Sequence, residues 1–477
     1  MSDIRVRMAP SPTGALHIGT VRTALFNYLY AKHVGGTYVL RIEDTDKTRS
    51  TVEFEEQIVQ GLTDLGLVPD EGVGVGGPYG PYKQSERVEI YHEYLQKLLD
   101  DGKAYYCYCT KDELEAERER CEKEKLPPRY SGKCRELTRE PAEGAVIRFK
   151  TPQTGEISYE DTVRGKVTVQ VKELDDFVIA KNLDEALYNF SVVIDDITMK
   201  ITHVIRGEDH ISNTPKQILI YQALGFTPPQ FAHLPLILNE DRSKLSKRKN
   251  KVEFRDYLAQ GYLPEALVNF LALLGWNPGD DREIFSLPEI IKEFSLERVQ
   301  KSGAVFDIKK LNWMNGQWIR KLSIEELASK LKPFLQDNKL DEKTLKKAVQ
   351  VTQSRLEKLA EASEHMHFFF ELPVYEKSLL IGKNMDEALA KLALEKSLEL
   401  VRELPDWEAL ELPAAEEMMK TEFLKLIEKL NLKTGQVLWP VRAALSGTSF
   451  SPGAFEMLWV LGREESVGRL ESALGKF

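Results

Sequence analysis

Cysteine is scarce: the chain has 477 residues and only four cysteines, which excludes a disulfide framework, and three of the four fall within residues 107–121. Long apolar runs are missing too. The longest apolar stretch, residues 267–276, is interrupted by Asn269 and is far too short to span a bilayer. Arg5 and Arg7 sit among apolar neighbours near the start with no apolar core behind them, so no signal peptide is read there. Excess basic charge is absent: Lys plus Arg number 65 against 75 Asp plus Glu, a formal net charge of -10, so any surface for a polyanion has to be local. Internal repeats and low-complexity tracts are also lacking. What remains, 42% hydrophobic and 29% charged residues, is the profile of a soluble globular protein, expected in a reducing, cytoplasmic compartment with no membrane partner.

At roughly 100–200 residues per domain, the length predicts about three to five structural units. The segment IRVRMAP has strand period, with Arg5 and Arg7 on one face and Ile4, Val6 and Met8 on the other. The loop SPTG follows. Leu16, Val21, Leu25 and Leu29 then predict a helix from Ala15 to about Lys32, and TYVLRIED reads as a second strand. Strand, helix and strand in that order require a parallel sheet, whose ligands sit beyond the carboxyl ends of the strands. Residues 105–187 change character to short β-type runs, AVIRFK, GKVTVQV and DFVIAK, and read as an insertion. The α/β rhythm resumes at MKITHVIRGEDH, with a helix from about Pro215 to Leu224 and the apolar run HLPLIL. From Val252 onward the pattern is overwhelmingly helical. The expected fold class is therefore α/β: a Rossmann-type parallel-sheet domain (1–104 and 188–250) carrying an inserted α+β domain (105–187), followed by all-α segments (251–320 and 321–477).

Gly72, Gly74 and Gly77 match GxGxxG, but no strand precedes them and PYGPY follows where a helix should open, so the stretch reads as a loop. A glycine-rich loop ending in Gly-Lys-Ser/Thr is likewise missing. Phosphate handling has to come from elsewhere, and HIGT, His17 to Thr20, offers it. A helix N-terminus presents unpaired N–H groups and partial positive charge, His17 adds a directed donor, and Gly19 admits close approach of a nucleotide. The cluster KLSKRK, from Lys244 to Lys249, lies in a loop just beyond HLPLIL, at the same edge of the sheet. Mobile lysines there can follow a triphosphate into its transition state, where charge compensation matters most.

HIGT resembles the HIGH motif, and KLSKR the KMSKS motif, of class I aminoacyl-tRNA synthetases, in the same order and separation. RMAPSPTGALHIGT, RIEDTD, VIRGEDH and KLSKRK together resemble the bacterial glutamyl-tRNA synthetase family, and LWPVRAALSG and LGREESVGRL near the end resemble its last helical domain. The resemblance implies that ATP, with Mg2+, activates L-glutamate as an adenylate, which is passed to the 2′-hydroxyl of the terminal adenosine of tRNA. It implies catalytic roles for His17, Thr20, Lys244 and Lys247. For glutamate it implies Arg7 and Arg206 on the carboxylates, Glu43 on the ammonium, Tyr188 as a phenol donor, and Ala9 and Ser11 alongside. For ATP it implies His17, Gly19, Glu208, Leu236 and Lys247. An empty site is expected to pair Arg7 with Glu43. The insertion is expected to bind the acceptor end of tRNA, residues 251–320 its stem and residues 321–477 the anticodon, with the enzyme a monomer.

Two motif positions depart from the pattern: Thr20 replaces the second histidine of HIGH, and Leu245 the methionine of KMSKS. Some family members hold zinc through Cys-x-Cys, a later Cys and a His. Here Cys107, Cys109 and Cys134 are present, Glu136 stands at the His position, and Tyr130 or Cys121 is left as a fourth ligand, so zinc stays open. The alternative function is a tRNA-independent HxGH nucleotidylyltransferase, which has no need of the helical half. Glutaminyl-tRNA synthetase is disfavoured by its β-barrel C-terminal half, and a tRNA-modifying glutamyl transferase by its lack of that half. A non-catalytic RNA-binding scaffold is disfavoured by the intact His17, Lys247 and Glu208.

Overall fold

The computed structural model describes residues 3–46, 48–125, 129–137, 142–245, 253–335 and 340–477. The chain divides into two compact units, one of Met1–Leu258 with Pro264–Ile308, the other of Ala259–Leu263 with Lys309–Phe477. No helix among the described residues is long and apolar enough to cross a membrane.

The first unit begins with β1 (Arg5–Met8), α1 (Ile18–Val34), β2 (Thr37–Leu40), α2 (Val52–Asp64), β3 (Glu71–Gly72), α3 (Val88–Asp100), β4 (Ala104–Cys107) and α4 (Lys111–Lys123). It continues with β5 (Val146–Phe149), β6 (Glu156–Asp161), β7 (Gly165–Gln170), β8 (Val178–Ala180), α5 (Tyr188–Thr198), β9 (His203–Gly207), α6 (Thr214–Ala223), β10 (Gln230–Leu234), β11 (Ile237–Leu238) and β12 (Ala304–Val305). The main sheet has the order β3-β2-β1-β9-β10-β6-β7 and is parallel except for the β6–β7 hairpin. β1 and β9 are neighbours, yet β1 leads through α1 to β2 on one side while β9 leads through α6 to β10 on the other. Connections that diverge in this way leave a crevice beyond the carboxyl ends of the two strands.

Helix α1 starts later than its apolar spacing predicts. Ala15 and Leu16 belong to the loop, and His17 is the N-cap, its Nδ1 accepting the Gly19 N–H at 2.9 Å. The helix stops at Gly35, whose φ of 67° is a left-handed conformation that a Cβ would strain. The Gly72–Gly77 stretch closes on itself through paired Gly72 and Gly76 backbone bonds, and no dinucleotide-type helix follows it. The run of helices beyond residue 252 is interrupted once among the described residues, by β12, which pairs with β11.

β1 does not present its arginines on a solvent face. As a central parallel strand it is covered on both sides, and both arginines are buried. Arg5 meets Glu71 Oε2 at 2.8 Å, and Glu71 in turn accepts the Tyr82 hydroxyl at 2.7 Å. The stretch read as an insertion does not stand wholly apart either. Its β4, β5 and β8 form a separate antiparallel sheet, but β6 and β7 extend the main one, and Ile147, Ile157 and Ile179 share a core with Phe190, Val193 and Ile218.

In the second unit the described secondary structure is helical throughout, the longest elements being Glu387–Glu403, Leu412–Leu430, Thr434–Ser446 and Ala454–Leu474. Arg463 forks over the carbonyls of Val401, Arg402 and Leu404, which end the first of these helices, while its guanidinium lies 4.3 Å from the centroid of the buried Trp407 ring. One side chain thus satisfies orphan carbonyls and a helix C-terminal dipole together. Gly462 breaks the last helix with φ 76°, and a Cβ there would come 2.4 Å from Glu408 Oε1. That approach lets Glu408 accept the Arg463 N–H at 3.1 Å.

The first unit carries an unusually charged interior. Helix α5 buries almost every residue, including two consecutive acids. Asp195 accepts from Arg87 Nε at 2.6 Å, Tyr91 OH at 2.8 Å and Gln84 Nε2 at 2.8 Å. Asp196 meets Arg41 Nη1 at 2.7 Å and Arg7 Nε at 3.2 Å. Burial alone would depress the Arg41 guanidinium, but Asp196, Asp195 and Glu43 outweigh it and hold it well above its ordinary value. Removing one partner of such a set strands a buried charge, at about 3–5 kcal/mol. Asp195→Ala is therefore expected to lower the urea midpoint of the first unit sharply, with Asp195→Asn milder; an unchanged midpoint for Asp195→Ala would show that the network does not hold the unit together.

Candidate active site

A cavity of about 600 Å³ opens at the carboxyl ends of β1 and β9, where the divergent connections leave room. It gathers residues that are distant in the sequence: Arg7, Ala9 and Ser11 from β1 and its loop, His17, Gly19 and Thr20 from the start of α1, Glu43 beyond β2, Tyr188 and Arg206 from α5 and β9, and Leu236 and Lys244 from the region of β11. Glu208 is not in the cavity wall. Its Oε1 accepts the Leu236 N–H at 2.9 Å and its other oxygen pairs with Arg164. Lys247 lies outside the described residues. Lys244 is exposed, beyond a turn in which Asn239 N–H bonds Ser243 O at 2.8 Å.

The expected pairing of Arg7 with Glu43 is not formed. Arg7 turns to Asp196 on α5, and Glu43 Oε1 lies 3.0 Å from Arg41 Nη2. Each thus has a partner fixed in the buried network, and the two face the cavity as separate groups. Burial raises the Glu43 carboxyl against the opposing pull of Arg41 and Arg7, while Asp196, despite its burial, is held below the ordinary range by Arg7 and Arg41. Arg206 donates from Nε to His233 Nε2 at 3.2 Å and from Nη2 to Thr214 Oγ1 at 2.7 Å, and its buried Nη1 has no hydrogen-bond partner. Burial lowers its guanidinium from the usual arginine value.

At the other end of the cavity His17 caps α1. Because Nδ1 accepts the Gly19 N–H, the neutral ring carries its proton on Nε2, and the ring stands at the first helical turn, where the helix dipole favours negative charge. Gly19 is close-fitting, since a Cβ would stand 3.3 Å from His17 Nδ1. Together these groups can hold phosphate at one end of the cavity and a zwitterionic, carboxylate-bearing ligand at the other.

Some lining groups carry no motif signal. Arg22, in the middle of α1, donates to the carbonyls of Leu274 and Pro235, and so ties the chain before Leu236 to the helix; burial lowers it to about 10, partly offset by Glu208. His210, by contrast, ends the VIRGEDH motif without having been given a role, and its Nδ1 lies 2.9 Å from the Tyr188 hydroxyl and helps orient it. The acids Asp195 and Asp196 could have been suspected from an apolar helical stretch ending in two aspartates, SVVIDD, which has no place on a solvated face.

Away from the cavity, Cys107, Cys109 and Cys134 bring their Sγ atoms within 4.8 Å of one another. Cys109 and Cys134 Sγ are 3.7 Å apart, and the Tyr130 hydroxyl lies 3.4 Å from Cys107 Sγ and 3.8 Å from Cys109 Sγ. Sulfurs around a tetrahedral zinc are separated by about 3.8 Å, a spacing that the Cys109–Cys134 pair matches. Burial, then Cys134, push the Cys109 thiol up to about 12. Cys121 is not part of the cluster, and Glu136 turns to Lys150 and Arg135.

His210 gives the site a pH signature. Burial, then Arg206, lower its imidazole to about 4, so between about pH 6.5 and 4 the unfolded chain binds a proton that the folded chain refuses. Stability from this group is full above the unfolded value and falls as the pH drops through that window. The histidines His203 and His233 are shifted the same way, so the comparison is differential: His210→Gln should flatten the stability slope between pH 6.5 and 4 by up to one proton, about 1.4 kcal/mol per pH unit. Superposable pH–stability curves for the two proteins would contradict it.

Comparison with known proteins agrees with this geometry. Residues 3–313 match the family of tRNA synthetases class I (E and Q), catalytic domain, and residues 326–474 match an anticodon binding domain. Glutamate–tRNA ligase 1 of Syntrophomonas wolfei subsp. wolfei is 46% identical over 99% of this chain and 97% of its own length. The glutamate–tRNA ligase of Carboxydothermus hydrogenoformans is 46% identical over 98% of this chain and 99% of its own. The crystal structure of a glutamate tRNA ligase from Elizabethkingia meningosepticum in complex with its amino acid superposes with a TM-score of 0.87 at 37% identity, covering 99% of both chains. With relatives this similar along its full length, the chain belongs to the class I tRNA synthetase family, in its glutamate–tRNA ligase branch.

Proposed function

We propose that the chain ligates L-glutamate to tRNA(Glu). The carboxylate of glutamate attacks the α-phosphorus of ATP, forming glutamyl-adenylate and releasing pyrophosphate, and the acyl group then passes to the 2′-hydroxyl of the terminal adenosine. One observation supports this most directly: a single cavity joins a helix N-terminus open to phosphate with an arginine that lacks a carboxylate partner among the described residues and a half-buried glutamate. Glutamate carries two carboxylates and one ammonium, and that set of groups complements it. The match of residues 326–474 to an anticodon binding domain weighs against the tRNA-independent nucleotidylyltransferase, which has nothing for that region to do.

In this reading Arg206 and Arg7 receive the carboxylates of glutamate as planar donors, Glu43 takes its ammonium, the Tyr188 phenol donates to it, and Ala9 and Ser11 border it. ATP arrives as its Mg2+ complex. His17, the Thr20 N–H and the Thr20 hydroxyl contact the triphosphate, Gly19 lets it pass close to the backbone, and Lys244 and Lys247 neutralise charge on the departing pyrophosphate. Leu236 packs near adenine. Glu208 takes the ribose, exchanging its Arg164 pairing for the sugar hydroxyls. The stretch from 105 to 187 receives the acceptor end of tRNA, residues 251–320 its stem and residues 321–477 its anticodon.

The deciding assay is transfer of labelled glutamate to tRNA(Glu) by the full chain, expected to require ATP, glutamate and tRNA together; adenylylation of a small metabolite with no tRNA requirement would instead favour the alternative. Arg206→Ala is expected to raise the KM for glutamate by about 30-fold or more, as loss of a buried charged partner costs on the order of 2–5 kcal/mol, while the KM for ATP stays near wild type. Equal effects on both substrates would remove Arg206 from the glutamate site.

We further propose that Cys107, Cys109, Cys134 and Tyr130 hold a structural zinc ion. Metal analysis of the purified chain should then return about one zinc per chain, Cys109→Ser should lose it, and chelation should lower the melting temperature. A zinc-free preparation with unaltered melting temperature and activity would leave the cluster as reduced thiols.

A further inference from the structure

Four guanidinium groups gather beneath the cavity, and three of them meet carboxylates: Arg7 at Asp196, Arg41 at Asp195, Asp196 and Glu43, and Arg87 at Asp195. Arg206 forms no ion pair among the described residues. Its fixed partners are two neutral acceptors, His233 Nε2 and Thr214 Oγ1. An arginine nitrogen can only donate, so His233 Nε2 has to present a lone pair and the ring proton has to sit on Nδ1. Asp161 Oδ2 lies 2.5 Å from that Nδ1 and fixes the tautomer. The other carboxylate oxygen, Oδ1, is held by three backbone N–H groups, Val163 at 3.0 Å, Arg164 at 2.8 Å and His233 at 3.2 Å. The side chains of His233 and Asp161 are both 0% exposed.

The topology explains how these groups meet. His233 on β10 stands in register with Arg206 on β9, and Asp161 ends β6, the hairpin strand that joins the main sheet at Phe231. A carboxylate in the place of His233 would hold Arg206 as firmly but would neutralise it. The imidazole supplies direction without charge, and its carboxylate sits one residue further back.

We infer that Asp161 and His233 are positioning residues for amino-acid specificity: they aim Arg206 while leaving its charge uncompensated, so that the cavity takes a side-chain carboxylate and refuses the isosteric amide. The inference rests on the reading of Arg206 as a carboxylate partner of glutamate, and takes that carboxylate to be the side-chain one. A guanidinium already paired with a carboxylate would gain little from a second one and would discriminate weakly between glutamate and glutamine. Loosely held, it would lose the geometry for two parallel hydrogen bonds.

Asp161→Asn tests the relay with a nearly isosteric change. The three backbone N–H groups retain the amide oxygen, so the amide NH2 faces His233 Nδ1, the ring proton moves to Nε2, and two donors then oppose each other at Arg206 Nε. Isothermal titration of the full chain with L-glutamate, L-glutamine and ATP is expected to show glutamate binding weakened on the order of 10- to 100-fold, the range known for outer partners of ligating side chains. Preference for glutamate over glutamine should fall with it, and ATP affinity should stay within about twofold. His233→Leu should behave alike, whereas His233→Gln, which restores an acceptor, should recover most of the affinity. Added to Arg206→Ala, Asp161→Asn should cause no further loss, because its effect runs through the missing guanidinium.

Wild-type glutamate binding in Asp161→Asn and His233→Leu, alongside a defective Arg206→Ala, would overturn the relay and leave the role of Arg206 standing. Normal glutamate binding by Arg206→Ala would instead remove the reading on which the relay rests. A double variant worse than Arg206→Ala alone would show that Asp161 acts through packing, which also overturns the proposal. Should Asp161→Asn fail to bind ATP, and so report a folding defect, the contrast between His233→Leu and His233→Gln decides.

Discussion

Charge burial beneath the cavity is the constraint on which the first unit depends. α5 carries Asp195 and Asp196 into the core, and neither can stay ionised there without partners, so β1, β2 and the start of α3 have to deliver arginines to them. The same bonds that satisfy the acids fix the relative positions of those elements. Replacing the whole set by apolar groups would relieve the desolvation, but it would also remove Arg7 and the support of Glu43 from the cavity wall. The network holds together the elements from which the site is built.

Within that network the arginines are not equivalent. Arg41 meets three carboxylates, Arg87 meets Asp195 alone, Arg7 shares Asp196, and Arg206 is held by neutral acceptors. A ligand that brings its own negative charge interacts most strongly with the group whose charge is least compensated by neighbouring carboxylates. At the opposite end the field comes from backbone: the open N–H groups of α1, with His17 oriented by its bond to Gly19. The crevice between diverging connections lets the two fields meet in one cavity.

Much of this was legible from local pattern. The order of strand, loop and helix around HIGT, a second strand within TYVLRIED, and the resumption of the sheet at VIRGEDH correspond to β1, α1, β2 and β9, although β2 ends at Leu40, short of Glu43. Periodicity put the two arginines of β1 on one face but did not say what that face meets, because alternation with apolar residues looks the same whether the charges face water or buried acids. It also set the start of α1 before His17, since the apolar spacing reaches back to Leu16 while the cap is made by the His17 side chain. The β6–β7 hairpin reads as part of an insertion, yet it closes one edge of the main sheet through the single pairing of Asp161 with Phe231. Nothing local distinguishes a strand of one sheet from a strand of another.

The amino-acid sequence by itself determined the order of the elements, the presence of α1 directly after the first strand and loop, and the residue types available to the site, because propensity and hydrophobic period act over a few neighbouring residues. Tertiary structure decided which charges are neutralised and which are left for a ligand. Arg7 and Asp196 are 189 residues apart, His233 and Asp161 are 72 apart, and Cys109 and Cys134 are 25 apart. In a low-dielectric interior, Coulomb energy and hydrogen-bond direction change over ångströms. Whether Arg7 pairs with Asp196 or Glu43, and which nitrogen of His233 holds its proton, follow only once the fold has set those distances.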